Sequence, residues 1–195
     1  MPKPHQLAIN GYGRIGRCFL RALLESPAAH NLQVVAINEP ANLESITYLT
    51  RYDSTHGRFP GQVENTSQGL QINGQPLRVS HARTPEAVDW SGIDLVVECS
   101  GAYGRRAELG RFLAAGAPRL LLSHPGASAD DVDATIIAGI NQHSLQGSER
   151  LVSAASCTTN AIVPVLDLIE REIGIEQVLL TTLHSAMNDQ DRKST

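Results

Sequence analysis

The sequence predicts an α/β protein in which a doubly wound, mostly parallel β-sheet is followed by the start of an α+β domain. Two observations carry this prediction. An apolar strand at 7–9 enters the pattern Gly-x-Gly-x-x-Gly at 11–16, and further apolar strands then alternate with helical segments up to residue 153. Such alternation is typical of parallel sheets covered by helices. A hydroxyl-rich segment then opens a long helix, so we expect one domain over 1–155 and the beginning of a second over 156–195.

The first strand and the glycine pattern predict a dinucleotide site. Gly11 permits a tight turn, Gly13 lets a pyrophosphate approach the backbone, and Gly16 lets helix and strand pack closely. The backbone of Arg14 and Ile15 lies at the start of the following helix, whose N–H groups face the phosphates. A glycine turn in an unrelated α/β domain is the alternative interpretation.

A second buried strand, 32–38, ends at a carboxylate. Glu39 lies 23 residues after Gly16, near the roughly 20 residues expected for the acid that binds the adenosine ribose. Its charge would repel a 2′-phosphate, so the sequence predicts NAD rather than NADP.

The middle of the chain continues the same alternation. A helix is predicted over 41–52, a polar loop over 51–59 and an antiparallel meander over 61–80, with a hairpin at Asn73-Gly74. The remaining predicted elements are a strand at 93–99, a helix at 105–115, and strands at 119–123, 134–138 and 150–153. Because ligands collect at the carboxyl ends of parallel strands, the residues that follow them are candidates for the cofactor crevice. These are Ser100, Gly101, Ser123 and Ser153, with ordinary turn residues as the alternative.

The composition agrees with a globular enzyme. Hydrophobic residues make up 42% of the 195 residues and charged residues 18%, which suits a packed core. The net charge is −4 without a basic run, so nucleic acid and membrane surfaces are not expected partners. The three cysteines, Cys18, Cys99 and Cys157, lack metal-ligand spacing. They indicate reduced thiols in the cytoplasm and no metal site.

Cys157 is the candidate nucleophile. It follows Ser156 at the predicted start of the long helix, where unpaired N–H groups and the helix dipole favour a thiolate. The same N–H groups can stabilise an oxyanion. His184 lies 27 residues later, at the end of a strand predicted over 177–184, and would complete a thiol–imidazole pair. The alternatives are a cysteine that only packs and a structural histidine.

The sequence resembles the glyceraldehyde-3-phosphate dehydrogenase family. Segments 9–17, 52–59, 153–160 and 181–185 match its hallmark motifs in order, and the resemblance extends to Gln190. It implies an NAD-binding Rossmann domain and a catalytic domain that opens with the cysteine helix.

The resemblance also implies a reaction and its residues. Cys157 attacks a phosphorylated aldehyde to give a thiohemiacetal, hydride passes to the nicotinamide, and a thioester remains, with His184 as base. Ser156 and Thr158 are implied to contact the substrate and Arg83 the cofactor. A homotetramer is the implied assembly.

Within the family, three segments resemble the D-erythrose-4-phosphate dehydrogenase branch: 37–39, 123–126 and 184–190. Met187 stands where glycolytic members usually carry a phosphate-binding threonine, and a thioether cannot donate a hydrogen bond. This implies oxidation of erythrose 4-phosphate to 4-phosphoerythronate, which can serve pyridoxal phosphate biosynthesis. The alternatives are the glycolytic triose enzyme and a non-catalytic NAD-binding fragment with a redox-sensitive thiol.

The family continues for most of a catalytic domain after the segment that matches Gln190. We therefore expect a truncated second domain in this sequence, and we expect residues 1–195 alone to bind NAD weakly without being a competent dehydrogenase.

Overall fold

A computed structural model describes residues 3–67 and 69–184. The helices are α1 Arg14–Glu25, α2 Leu43–Arg51, α3 Arg106–Ala114 and α4 Cys157–Ile173. The strands are β1 His5–Asn10, β2 Leu32–Asn38, β3 Tyr52–Asp53, β4 Gly57–Arg58, β5 Val63–Thr66, β6 Gly69–Ile72, β7 Gln75–Ser80, β8 Leu95–Glu98, β9 Leu120–Leu122, β10 Ala134–Thr135 and β11 Leu151–Ser153.

The strands form one nine-stranded sheet in the order β10-β11-β9-β8-β1-β2-β7-β6-β5 and a separate pair, β3-β4. Seven neighbouring strands from β10 to β7 run parallel, and β5, β6 and β7 form an antiparallel meander. The strands β2 and β8 lie on opposite sides of β1. The strand order therefore reverses between β1 and β8, which is where ligands of doubly wound sheets bind. The predicted fold class is confirmed.

The sheet is packed on both faces because successive strand residues point to opposite sides. From β1, Leu7 and Ile9 pack in a cluster with Leu20 of α1 and Ile46 of α2. Ala8 packs in the other cluster, which contains Leu109 and Phe112 of α3. The two halves of the sheet are thereby fixed by helices on opposite faces.

Three sequence predictions need correction. The polar loop at 51–59 contains the short pair β3 and β4, and the strand predicted over 134–138 shortens to Ala134–Thr135. The strand predicted over 177–184 is wrong, since these residues have no regular secondary structure. The run Val178–Leu183 has a high β propensity, but a strand needs a neighbour for its backbone groups. Among the described residues no strand pairs with it.

A cavity of about 720 Å³ lies at the end of the sheet where the parallel strands begin. It is lined by residues at the amino ends of the strands, including His5, Leu32, Asp94 and Arg119. The reversal point binds ligands at the carboxyl ends, so this cavity is separate from the expected cofactor crevice. No helix within residues 3–67 and 69–184 is long and apolar enough to cross a bilayer.

Candidate active site

The glycine turn after β1 has the geometry that dinucleotide binding requires. Gly11 adopts φ +84°, and a Cβ there would lie 2.4 Å from the backbone nitrogen of Ser100. A Cβ on Gly16 would lie 2.4 Å from the carbonyl oxygen of Gly11. These two positions admit only glycine, because a side chain would collide with backbone.

The start of α1 is open. A Cβ on Gly13 would meet no atom within 4 Å, and the helix has no side-chain cap on its first N–H groups. Arg14 and Ile15 are exposed in this first turn. The uncapped N–H groups and the free space above Gly13 fit a pyrophosphate.

Glu39 follows β2 and lies next to the glycine turn. Its Oε2 accepts a hydrogen bond from the backbone N–H of Tyr12 at 2.7 Å, and its Oε1 accepts one from Ala41 at 3.2 Å. These bonds fix the carboxylate beside the turn. Each carboxylate oxygen accepts more than one hydrogen bond, so capacity remains for ribose hydroxyls.

The other predicted cofactor residues follow neighbouring strands. Arg83 is exposed after β7, and its carbonyl oxygen accepts a bond from the Tyr103 hydroxyl at 3.4 Å. Ser123 follows β9 and is half-buried, with its N–H donating to the Glu98 carbonyl at 3.0 Å. Ser153 is fully buried, and its hydroxyl donates to the carbonyl oxygen of His124 at 2.8 Å. The Ser153 side chain is therefore used within the protein.

Hydrogen bonds in the segment between β11 and α4 fix the first turn of α4, the helix that carries Cys157. Ala155 adopts a left-handed conformation with φ 59°, and its N–H donates to the Ser153 hydroxyl at 3.0 Å. Ser156 caps α4 by accepting from the N–H of Thr159 at 3.0 Å. Asn160 donates to the carbonyl oxygens of Ala154 and Ser156 at 2.7 and 2.9 Å. The family-matching segment 153–160 contains Asn160, but the sequence does not reveal this hydrogen-bonding role.

Cys157 and His184 come together. The Cys157 Sγ lies 3.3 Å from the His184 Nε2, although the predicted strand that was to carry the histidine is absent. Both residues are exposed. The pKa of the Cys157 thiol is lowered, chiefly by its hydrogen bond with His184 and then by one with Thr158. The lowered pKa favours the thiolate form of Cys157.

The other two cysteines lack this environment. Both are partly buried, and burial raises the pKa of the Cys99 thiol to about 11. A thiolate is therefore not favoured at Cys99 near neutral pH. The remaining predicted positions, including Met187 and the rest of 185–190, lie outside the described residues.

Two family models match the chain. One, described as the NAD-binding domain of glyceraldehyde 3-phosphate dehydrogenase, matches residues 5–106. The other, described as the C-terminal domain of the same enzyme, matches residues 156–195. The first match contains the glycine turn and Glu39, and the second begins at the residue that caps α4.

Proposed function

Because the chain belongs to the glyceraldehyde 3-phosphate dehydrogenase family, a family of NAD-dependent oxidoreductases, we propose that Cys157 and His184 are its catalytic pair. The observation that carries the proposal is the 3.3 Å contact between Sγ and Nε2. A lowered thiol pKa at a helix start is what a nucleophilic cysteine requires. A domain boundary between residues 155 and 156 is part of the proposal.

The cofactor of the family is NAD. We place its pyrophosphate at Gly11, Gly13 and Gly16, against the backbone of Arg14 and Ile15. Glu39 would accept hydrogen bonds from the adenosine ribose. Arg83 and Ser123 would contact the adenosine side and the nicotinamide side respectively.

The reaction begins with a bond between the Cys157 sulfur and the aldehyde carbon. First-turn N–H groups of α4 stabilise the oxyanion, which takes up a proton to give a thiohemiacetal. His184 then removes the hydroxyl proton as the carbonyl reforms. When bound, NAD would supply the acceptor for the hydride, which is the hydrogen of the carbon with the two electrons of the C–H bond that breaks. Water attacks the resulting thioester on Cys157, the carbon–sulfur bond breaks, and the thiolate returns with release of the acid.

The proposed substrate is erythrose 4-phosphate and the product 4-phosphoerythronate, a supply for pyridoxal phosphate biosynthesis. Segments 37–39 and 123–126 support this choice by their resemblance to that branch, and Ser156 and Thr158 would contact the substrate. A homotetramer is the proposed assembly. The family description itself favours the second candidate, oxidation of glyceraldehyde 3-phosphate.

The test uses the parent enzyme that contains residues 1–195, compares its kcat/KM for the two aldehydes with NAD, and identifies the acid that is formed. We expect the tetrose phosphate to be preferred, and a large advantage for the triose phosphate would support the second candidate. Cys157→Ser is the control, because it should abolish turnover while NAD binding stays unchanged. Turnover that survives this substitution would exclude the thioester route. If Cys157 of the parent enzyme is alkylated rapidly but neither aldehyde is turned over, an NAD-binding module with a reactive thiol is favoured.

A further inference from the structure

Glu98 is a carboxylate at the carboxyl end of β8 that the proposed reaction does not use. Its side chain is fully buried. Burial raises the pKa of the carboxyl group, although hydrogen bonds from Ser100 and Asn10 oppose the shift. Burying a carboxylate is costly unless its oxygens are well paired, so its partners indicate its role.

One oxygen of Glu98 starts a chain of hydrogen bonds across four strand ends. Its Oε2 accepts from Asn10 Nδ2 at 2.5 Å, and Asn10 Oδ1 accepts from Asn38 Nδ2 at 2.8 Å. Asn38 Oδ1 in turn accepts from the Ser80 hydroxyl at 2.8 Å and from the Ala82 N–H at 2.9 Å. The chain thus links β8 through β1 and β2 to the end of β7.

The carboxylate sets the direction of this chain. A carboxylate only accepts hydrogen bonds, so the amide nitrogen of Asn10 must face it. The amide oxygen of Asn10 then faces Asn38 and accepts from it. Turning the Asn10 amide over would place its oxygen against the carboxylate and break both bonds.

The other oxygen of Glu98 holds the loop that follows β8. Its Oε1 accepts from the N–H of Ser100 at 2.7 Å and from the Ser100 hydroxyl. That same backbone nitrogen lies 2.4 Å from the position a Cβ on Gly11 would take. Glu98 therefore fixes the Ser100 loop directly against the glycine turn, at the point where the strand order reverses.

We infer that Glu98 is a positioning residue that couples the two halves of the NAD site. The inference rests on the proposed placement of NAD in this crevice. Asn38 and Ala82 lie on the side of β2 and β7, where the adenosine is placed. Ser100 lies on the side of β8 and β9, which leaves it for the nicotinamide half. Loss of the carboxylate releases the Ser100 loop, whereas Asn38 keeps its separate bonds to Ser80 and Ala82.

The first experiment measures NAD and AMP affinities by calorimetry for the whole 195-residue chain. Glu98→Gln has a single acceptor oxygen, and when this oxygen accepts from Asn10, the amide nitrogen faces the N–H of Ser100, so the Ser100 loop loses its partner. We expect NAD to bind about tenfold more weakly, as for one buried hydrogen bond lost to an unpaired group. AMP affinity should change less than about twofold, since the adenosine side keeps its own bonds.

Exchanging the charge between Glu98 and Asn10 tests the direction of the hydrogen-bond chain. In Glu98→Gln/Asn10→Asp the introduced amide donates to the introduced carboxylate, whose second oxygen still accepts from Asn38. The total charge equals that of the wild type. We expect the double variant to recover most of the NAD affinity, whereas Asn10→Asp alone opposes two carboxylates and weakens binding. A double variant that binds no better than the single variants overturns the proposed direction.

Other outcomes separate the inference from the cofactor assignment. A wild-type chain that fails to bind NAD overturns both. Equal NAD affinity of the wild type and Glu98→Gln overturns the inference alone. A purely structural role would lower the urea midpoint while the ratio of NAD to AMP affinity stays fixed. Should Glu98→Gln fail to fold, Ser100→Ala removes a single donor, and an unchanged affinity ratio in that variant also overturns the inference.

Discussion

Residues 3–153 and residues 156–184 use their apolar side chains in opposite ways. The first region buries them in two clusters on the faces of the sheet. In the second region no residue is buried, and Val165, Leu168 and Ile173 are exposed. The proposed cofactor site is therefore part of a closed core, whereas both residues of the proposed catalytic pair are exposed. The proposed cofactor site and the proposed catalytic pair therefore differ strongly in how well they are packed.

The largest expected effect tests this contrast in stability. Phe112 is fully buried and packs on the rings of Trp90 and Tyr103. Phe112→Ala should lower the free energy of unfolding by about 3–5 kcal/mol. Leu168→Ala, at a half-exposed position of α4, should change it by less than about 0.5 kcal/mol. Urea unfolding followed by Trp90 fluorescence measures both. A comparable loss for Leu168→Ala would mean that α4 is packed and that the contrast is false.

The second effect concerns the cofactor site in the packed region. Glu39→Ala should lower NAD affinity at least about tenfold, because one hydrogen bond to a carboxylate contributes about 1.5–3 kcal/mol. The preference over NADP should narrow, since the charge that repels a 2′-phosphate is gone. Calorimetric titration with both dinucleotides tests this. Glu44→Ala, an exposed acid in the first turn of α2, is the control. Equal wild-type affinity for the two dinucleotides would contradict the role of Glu39.

The third effect concerns the exposed pair, Cys157 and His184. The pKa of Cys157 is lowered mainly by His184, so His184→Ala should move the midpoint of its alkylation profile to higher pH. At pH 7 iodoacetamide should then label Cys157 severalfold more slowly, because less thiolate is present. His143→Ala, at an exposed histidine elsewhere, should leave the rate unchanged. Peptide mapping distinguishes the three thiols. Preferential labelling of Cys18 or Cys99 in the folded protein would count against Cys157 as the reactive thiol.

The smallest effect comes from an exposed ion pair on the packed region. Arg111 lies 2.6 Å from Glu86 and lowers the pKa of that carboxyl group to about 2. A depressed carboxyl pKa adds stability above the unfolded value, and this is lost as pH falls through the folded value. The wild type should therefore be slightly more stable than Arg111→Met at pH 7. The difference should vanish between about pH 4.5 and about pH 2. Urea midpoints across this range measure it, and a difference that persists below pH 2 would have another cause.

The elements that could be predicted from the sequence are those whose signal is local. The strand, glycine turn and helix over 5–25 appear as expected, because each step needs only neighbouring residues. The same holds for the start of α4, which the hydroxyl-rich segment after Ser156 predicts and which lies at Cys157. The strand over 177–184 failed because its formation depends on a partner strand, which local propensity does not supply.

The sequence nominates the residues of the proposed site, but not the contacts that connect them. The contact between Cys157 and His184 matches the predicted pair, although the route that brings them together differs. The role of Glu98 was missed. The only signal was a charged residue at the end of the apolar run 95–97, and its direction depends on Asn10 and Asn38 from distant segments.

The left-handed backbone at Ala155 has a consequence for the geometry of the chemistry. A non-glycine residue in the left-handed conformation costs roughly 1–2 kcal/mol, so the backbone is slightly strained two residues before Cys157. A glycine there would relieve the strain and also admit many more backbone directions. The methyl group of Ala155 thus restricts the backbone direction at this position. It limits the angles at which α4 leaves the sheet, and with them the direction of the Cys157 side chain.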